Sequence, residues 1–239
     1  MYDYKNKYAE LNELINQLTW PQSCHEQYCW KNLVIDTGNY QQRQAVKKSL
    51  DYLSRNMPEI ASFIGGNVKN IVLLSSESGV YHGFSRIDEF QTIFLYNVES
   101  LFSNPHILSA GIIHESIHQE IFRIENDVSY FLSEPLLRNE YKVNSPWTGN
   151  KIHINGFIHA AHVWFGLYHY WDKYLFVKPE LYDNSLAQQQ RYKLWQGFCS
   201  DRYNEINLFL KNSSQYRAVY SLLKLKEIIG DKNEKNRND

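Results

Sequence analysis

The sequence predicts an α+β fold, a small antiparallel sheet followed by a mainly helical part. Three observations point there. Three β-rich runs lie close together at 69–75, 80–86 and 91–97, parted by the turn residues Ser78-Gly79 and Asp88-Glu89. A single apolar helix is expected directly after them, near 104–123. Beyond it, 129–140, 154–171, 185–211 and 215–229 all carry apolar residues at helical spacing. Strands first and helices after is the order of an α+β layer fold.

The earlier elements follow from the same periodicities. Tyr8, Leu11, Leu14, Ile15 and Leu18 give one helical stripe within 5–18, and Val46, Leu50 and Leu53 give another within 40–56. Residues 20–38 mix Pro, Cys, Trp and Gly and read as irregular. Pro58 opens a short helix that Gly65-Gly66 should end. Asn104-Pro105 reads as a cap with proline in the first turn of the following helix. The loop 144–152 separates 129–140 from 154–171. In 164–174, Trp164, Tyr168, Tyr170, Trp171 and Tyr174 could line a groove, but at helical spacing they read first as core.

The chain has 239 residues, enough for a sizeable core. It reads as one catalytic domain over 1–230 with a polar, frayed tail at 231–239. With a net charge of −1 and a pI near 6.8, nothing points to nucleic acid or an anionic membrane. The polar start Met1-Tyr2-Asp3-Tyr4-Lys5 predicts no export signal, and no apolar run is long enough to predict a membrane span. The expected setting is cytoplasmic. Three cysteines, Cys24, Cys29 and Cys199, fit a reducing compartment. Cys24 and Cys29 flank His25, but no second pair completes a zinc finger.

The chemistry is expected at His114-Glu115-Ser116-Ile117-His118, an HExxH turn. Two histidines at i and i+4 of a helix point the same way, one turn apart, so both imidazoles can reach one ion. Glu115 beside them can reach a bound water. Ile112, Ile113, Ile117 and Ile121 should bury the helix. The motif arises by accident in about 2% of chains of this composition. The plainer alternative is a helix with two core histidines bonded to backbone or carboxylates.

A third ligand is needed. Glu134, Glu140, His153, His159 and His162 are the candidates. A carboxylate from a later helix completes many zinc peptidases. His159 and His162 lie in the apolar run 156–165, where each ring nitrogen needs a partner. Ile124 stands where an elongated HExxHxxGxxH motif would have its third histidine, so metzincin chemistry is not expected.

Further residues extend the pattern. A Ser-Pro-Trp turn (Ser145, Pro146, Trp147) precedes Gly156-Phe-Ile-His159, which opens an apolar helix. With the HExxH helix after short strands, this combination resembles the 2-oxoglutarate-dependent HExxH-type peptide β-hydroxylases, which modify ribosomal precursor peptides. The likeness covers roughly residues 70–230. It implies iron(II) held by His114, His118 and His159, 2-oxoglutarate as co-substrate, and a peptide as partner. It also implies a basic anchor for the 2-oxoglutarate carboxylate after the tryptophan. The expected arginine is absent there, and Lys151 or His153 would have to serve. Arg123 and Arg138 are other possible anchors. The competing expectation is a zinc metallopeptidase with Glu115 as general base and Glu134 or Glu140 as third ligand. A module with a purely structural ion is the third.

Overall fold

The computed structural model describes residues 8–21, 33–125, 131–133, 141–177 and 184–235. The chain divides into two compact units. One is Thr19–Arg123, and the other joins Met1–Leu18 to Ile124–Asp239.

The first unit holds the sheet. Strand β1 (Val34–Thr37) leads into helices α2 (Tyr40–Asn56) and α3 (Pro58–Asn67). Strands β2 (Asn70–Leu74), β3 (His82–Ser85) and β4 (Thr92–Tyr96) follow, then a 3-10 turn at Val98–Leu101 and helix α4 (Pro105–Ile124). The spatial order is β1-β2-β4-β3. β1 and β4 both run parallel to β2, and only β3 is antiparallel to its neighbour. The expected antiparallel sheet is therefore a mixed one. Two facts cause the difference. Residues 34–37 lie in a segment read as irregular yet form a strand, and α2 with α3 supplies the crossover that a parallel pair needs. β3 then folds back on the outer side of β4, which frees β2 to pair with β4.

Local chemistry explains where these elements start and stop. Thr37 Oγ1 donates to Leu73 O and accepts from Leu73 N, so a side chain finishes the β1–β2 ladder. Gly38 (φ +75°) then turns the chain; a Cβ there would lie 2.7 Å from Leu73 Cβ. Asn39 and Gln42 close a reciprocal capping box at the start of α2. The inward sheet face carries Ile71, Leu73, Ile93 and Leu95, all buried. Gly65 and Gly66 do not end α3, which runs on to Asn67.

The second unit is mainly helical. It contains α1 (Ala9–Gln17), a two-stranded hairpin of β5 (Lys142–Asn144) and β6 (Lys151–His153), and helices α5 (Ile154–Val177), α6 (Ser185–Cys199), α7 (Asp201–Asn212) and α8 (Tyr216–Lys235). The helix expected over 185–211 is two. Ser200 leaves helical geometry (ψ 151°) and its Oγ caps α7 by accepting from Tyr203 N. Helix α8 runs to Lys235, inside the expected tail. Of the helix expected over 129–140, only 131–133 are described, and they are not helical. Tyr168, Tyr170, Trp171 and Tyr174 on α5 are buried, so they are core. Among the described residues no helix is long and apolar enough to cross a membrane.

The Ser-Pro-Trp segment organises this unit. Ser145 Oγ accepts from the backbone N–H groups of Trp147 and Thr148, and Gly149 N closes the turn on Ser145 O with φ +74°. The Trp147 ring enters a cluster with Phe157, Trp164, Phe198 and Tyr203, and its Nε1 donates to Leu194 O at 3.0 Å. Gly197 makes room for the indole, since a Cβ there would fall 2.0 Å from Nε1. Gly197→Ala is expected to cost about 1–3 kcal/mol by overpacking. Equilibrium urea unfolding should show a lower midpoint; an unchanged midpoint would mean that the ring moves freely.

Candidate functional site

Helix α4 is built into the first unit by its apolar side. Ile112, Ile113, Ile117 and Ile121 are fully buried, as the sequence led us to expect, and so is Leu108. Polar side chains one turn apart then fix the helix to the strands. Gln119 Nε2 donates to Thr92 O at 2.8 Å, while its Oε1 accepts from Gln91 N at 2.7 Å. One turn earlier, Glu115 Oε2 accepts from Ser85 Oγ at 2.8 Å, and the same hydroxyl lies 3.2 Å from Glu115 O.

This docking needs two positions without side chains. A Cβ on Gly83 of β3 would lie 3.0 Å from Glu115 Oε1. A Cβ on Gly111 of α4 would fall 1.8 Å from the Tyr81 hydroxyl. Burial, with Glu115 nearby, pushes the Tyr81 phenol well above its usual range. Asn97 (φ +52°) holds the loop leading to Tyr81: its Nδ2 donates to Val80 O and Ser76 Oγ, and its Oδ1 accepts from Ser76 N.

His114 and His118 occupy the neighbouring stripe of α4, about 100° around the helix from Glu115 and Gln119. Their ring centroids are 5.1 Å apart and the planes are tilted by 56°. The His118 ring also stacks on Phe122. Burial pushes His114 down to about 4, so its imidazole is neutral at pH 7. The neutral ring is the form that offers a lone pair to a metal. Glu115 moves the other way: burial raises it to about 7, against a smaller lowering by the Ser85 hydrogen bond. Two histidine rings on one helix face, with a buried carboxyl beside them, are therefore in place.

His159, His162, Lys151 and His153 lie in the second unit. His159 on α5 is buried, and its Nε2 lies 2.7 Å from Glu125 Oε2. A carboxylate only accepts, so Nε2 carries the proton. A carboxylate behind a histidine is the usual support for a metal-bound ring. His162 is different. Its Nδ1 donates to Ile158 O at 2.8 Å and its Nε2 accepts from Ser221 Oγ at 2.6 Å. Both nitrogens are used, so His162 is a satisfied core residue and leaves the ligand candidates. Burial pushes it down to about 4.

Lys151 and His153 are both exposed on β6, on the same face of the hairpin. Arg123 is held by both carboxylate oxygens of Glu120, at 2.8 and 2.7 Å, so it is an ion-pair partner on α4. Glu134, Glu140, Arg138, Cys24, His25 and Cys29 lie outside the described residues. Cys199 is an exposed free thiol. Among the described residues, no group of three or more His, Cys, Asp or Glu side chains forms a ready metal cage.

Several partners had no signal in the sequence reading. Ser85, Tyr81 and Gly111 belong to no motif, and Glu125 is simply the residue after α4. Gln119, next to the motif, could have been singled out as a polar residue on a helix expected to be buried. Compared with known proteins, the chain matches no family model and no curated protein sequence.

The His162 geometry sets a pH dependence of stability. The unfolded ring takes a proton near 6.5, the folded one only near 4. Below 6.5 the unfolded state therefore binds more protons, and stability falls as pH drops through the window 6.5 to 4. The full effect is on the order of 3 kcal/mol. His114, also pushed down to about 4, adds a loss of the same sign, so His162→Gln should lessen and not abolish the fall in urea midpoint across that window; an equally steep acid loss in the variant would place the cause elsewhere.

Proposed function

We propose that this chain is an iron(II)- and 2-oxoglutarate-dependent peptide β-hydroxylase, with His114 and His118 as two of the metal ligands. One observation carries the reading. The two imidazoles share one helix face, while the Glu115 carboxylate is turned aside onto Ser85 of β3. A carboxyl committed to a strand orients the site more readily than it activates a water. The Ser-Pro-Trp turn and Gly156-Phe-Ile-His159, both part of the resemblance, support the choice of reaction. Iron with 2-oxoglutarate, when bound, supplies the oxidising power for hydroxylation at a peptide Cβ.

The chain's own residues hold and shield. His114, kept neutral by burial, offers a lone pair without having to lose a proton first. Glu125 holds the His159 ring in one tautomer. The apolar side of α4 fixes the helix, and with it both HExxH rings, before any ligand arrives.

A second reading has its own support. Glu115 is pushed to about 7, which suits a general base in a zinc peptidase. The two are separated by purifying the protein without oxygen and measuring its metal. The hydroxylase reading expects about one iron per chain, a weak visible band on adding 2-oxoglutarate, and succinate released when oxygen and a peptide are supplied. His114→Ala and His118→Ala should each lower metal content at least about tenfold. Glu115→Gln should keep the metal and much of the succinate release. Zinc in place of iron, no visible band, and a loss of peptide cleavage of about a hundredfold or more in Glu115→Gln would establish the peptidase instead.

A further inference from the structure

Among the described residues the β5–β6 hairpin leaves one flank open. Ser145 N donates to Asn150 O, and Ile154 N donates to Tyr141 O. In an antiparallel pair, hydrogen-bonded and non-bonded residue pairs alternate. With the register Lys142↔His153, Val143↔Ile152 and Asn144↔Lys151, Val143 therefore bonds across to β6. Lys142 and Asn144 point their backbone N–H and C=O groups away from it. No third strand joins this sheet among the described residues.

The outward flank meets α7 across a hollow of about 250 Å³. Tyr141, Lys142, Val143 and Asn144 line one side, and Arg202, Glu205, Ile206 and Phe209 line the other. Tyr141 and Phe209 stack across it, with centroids 4.3 Å apart and planes within 6°. Val143 and Ile206 are the buried apolar residues of the lining. Lys142, Arg202 and Glu205 are exposed and take part in no ion pair among the described residues.

Charge extends the pattern. The side chains of Lys142, Asn144, Lys151 and His153 share the exposed face of the hairpin, because 142/153 and 144/151 are directly opposed. Among the described residues no acidic side chain lies on that face. Together with Arg202, it outweighs the single carboxylate of Glu205.

We propose that this hollow is a docking site for an extended, acidic peptide. The peptide adds as a third strand along β5, bonding to Lys142 and Asn144, while its carboxylates meet Arg202 and the lysine-rich face. Two features choose this occupant. Donors and acceptors repeated at every second residue of an edge match the backbone of an extended peptide. A second copy of this chain would bring its own Lys142 and Lys151 against the same cations, and like charges at an edge oppose such pairing. The site stands whether or not the HExxH helix holds a metal.

The test uses the full chain and fluorescein-labelled nonapeptides read by anisotropy at low salt. One alternates threonine and glutamate, a second alternates threonine and lysine, and a third repeats the first with alternate backbone nitrogens methylated. The acidic peptide should bind saturably and shift the amide resonances of Lys142 and Asn144. The methylated peptide and the Arg202→Glu variant should each weaken binding about tenfold or more, and the lysine peptide should not saturate. Arg202 is exposed, so a circular dichroism spectrum like that of the parent is expected. Equal binding of the methylated peptide would overturn the proposal in favour of mere charge adhesion. So would a failure of the acidic peptide to bind. Concentration-dependent dimerisation abolished by Arg202→Glu would assign the edge to a second copy instead.

Discussion

The first unit depends on how helix α4 is tied to the strands. Apolar burial alone would leave the helix free to slide or turn by a residue, because isoleucine contacts are non-directional. Gln119 removes that freedom by bonding at both ends of its amide, to Thr92 O and Gln91 N. Glu115 adds a second tie on Ser85. With these two residues facing the strands, the stripe one step around the helix must carry His114 and His118 elsewhere. The direction of the histidine pair is thus a consequence of bonds made by their neighbours.

The second unit rests on a different constraint, aromatic packing around one indole. Trp147 is buried against Phe157, Phe198 and Tyr203, and its only polar atom is satisfied by Leu194 O. The turn that delivers the ring is held by the Ser145 hydroxyl. The Ser-Pro-Trp triplet has a structural task that is complete without any ligand. It joins the β5–β6 hairpin to α5, the helix that carries His159.

Much of this was legible in the sequence, for identifiable reasons. Helix α4 was, because Pro105 marks its start and the isoleucines keep one period throughout. The aromatic run on α5 read correctly as core, since its spacing is helical. Strand β1 was not legible: four residues between a proline, two cysteines and a glycine carry too short a pattern. Parallel pairing was hidden as well, because it depends on the crossover made by α2 and α3 and not on the strands' own residues. By residue pattern alone His162 looked as promising as His159, and only the resemblance favoured His159. What separates them is Ser221, 59 residues away, whose hydroxyl bonds one ring and not the other. Contacts between residues so distant in sequence leave no local trace.

Gly83 and Gly111 have a bearing on how this protein can change over time. Each is a gap filled by another residue's side chain, Glu115 in one case and Tyr81 in the other. A side chain added at either glycine meets that neighbour and can stay only where the neighbour gives way. Change at one member of a pair is therefore expected to bring change at the other, while surrounding surface positions wander singly.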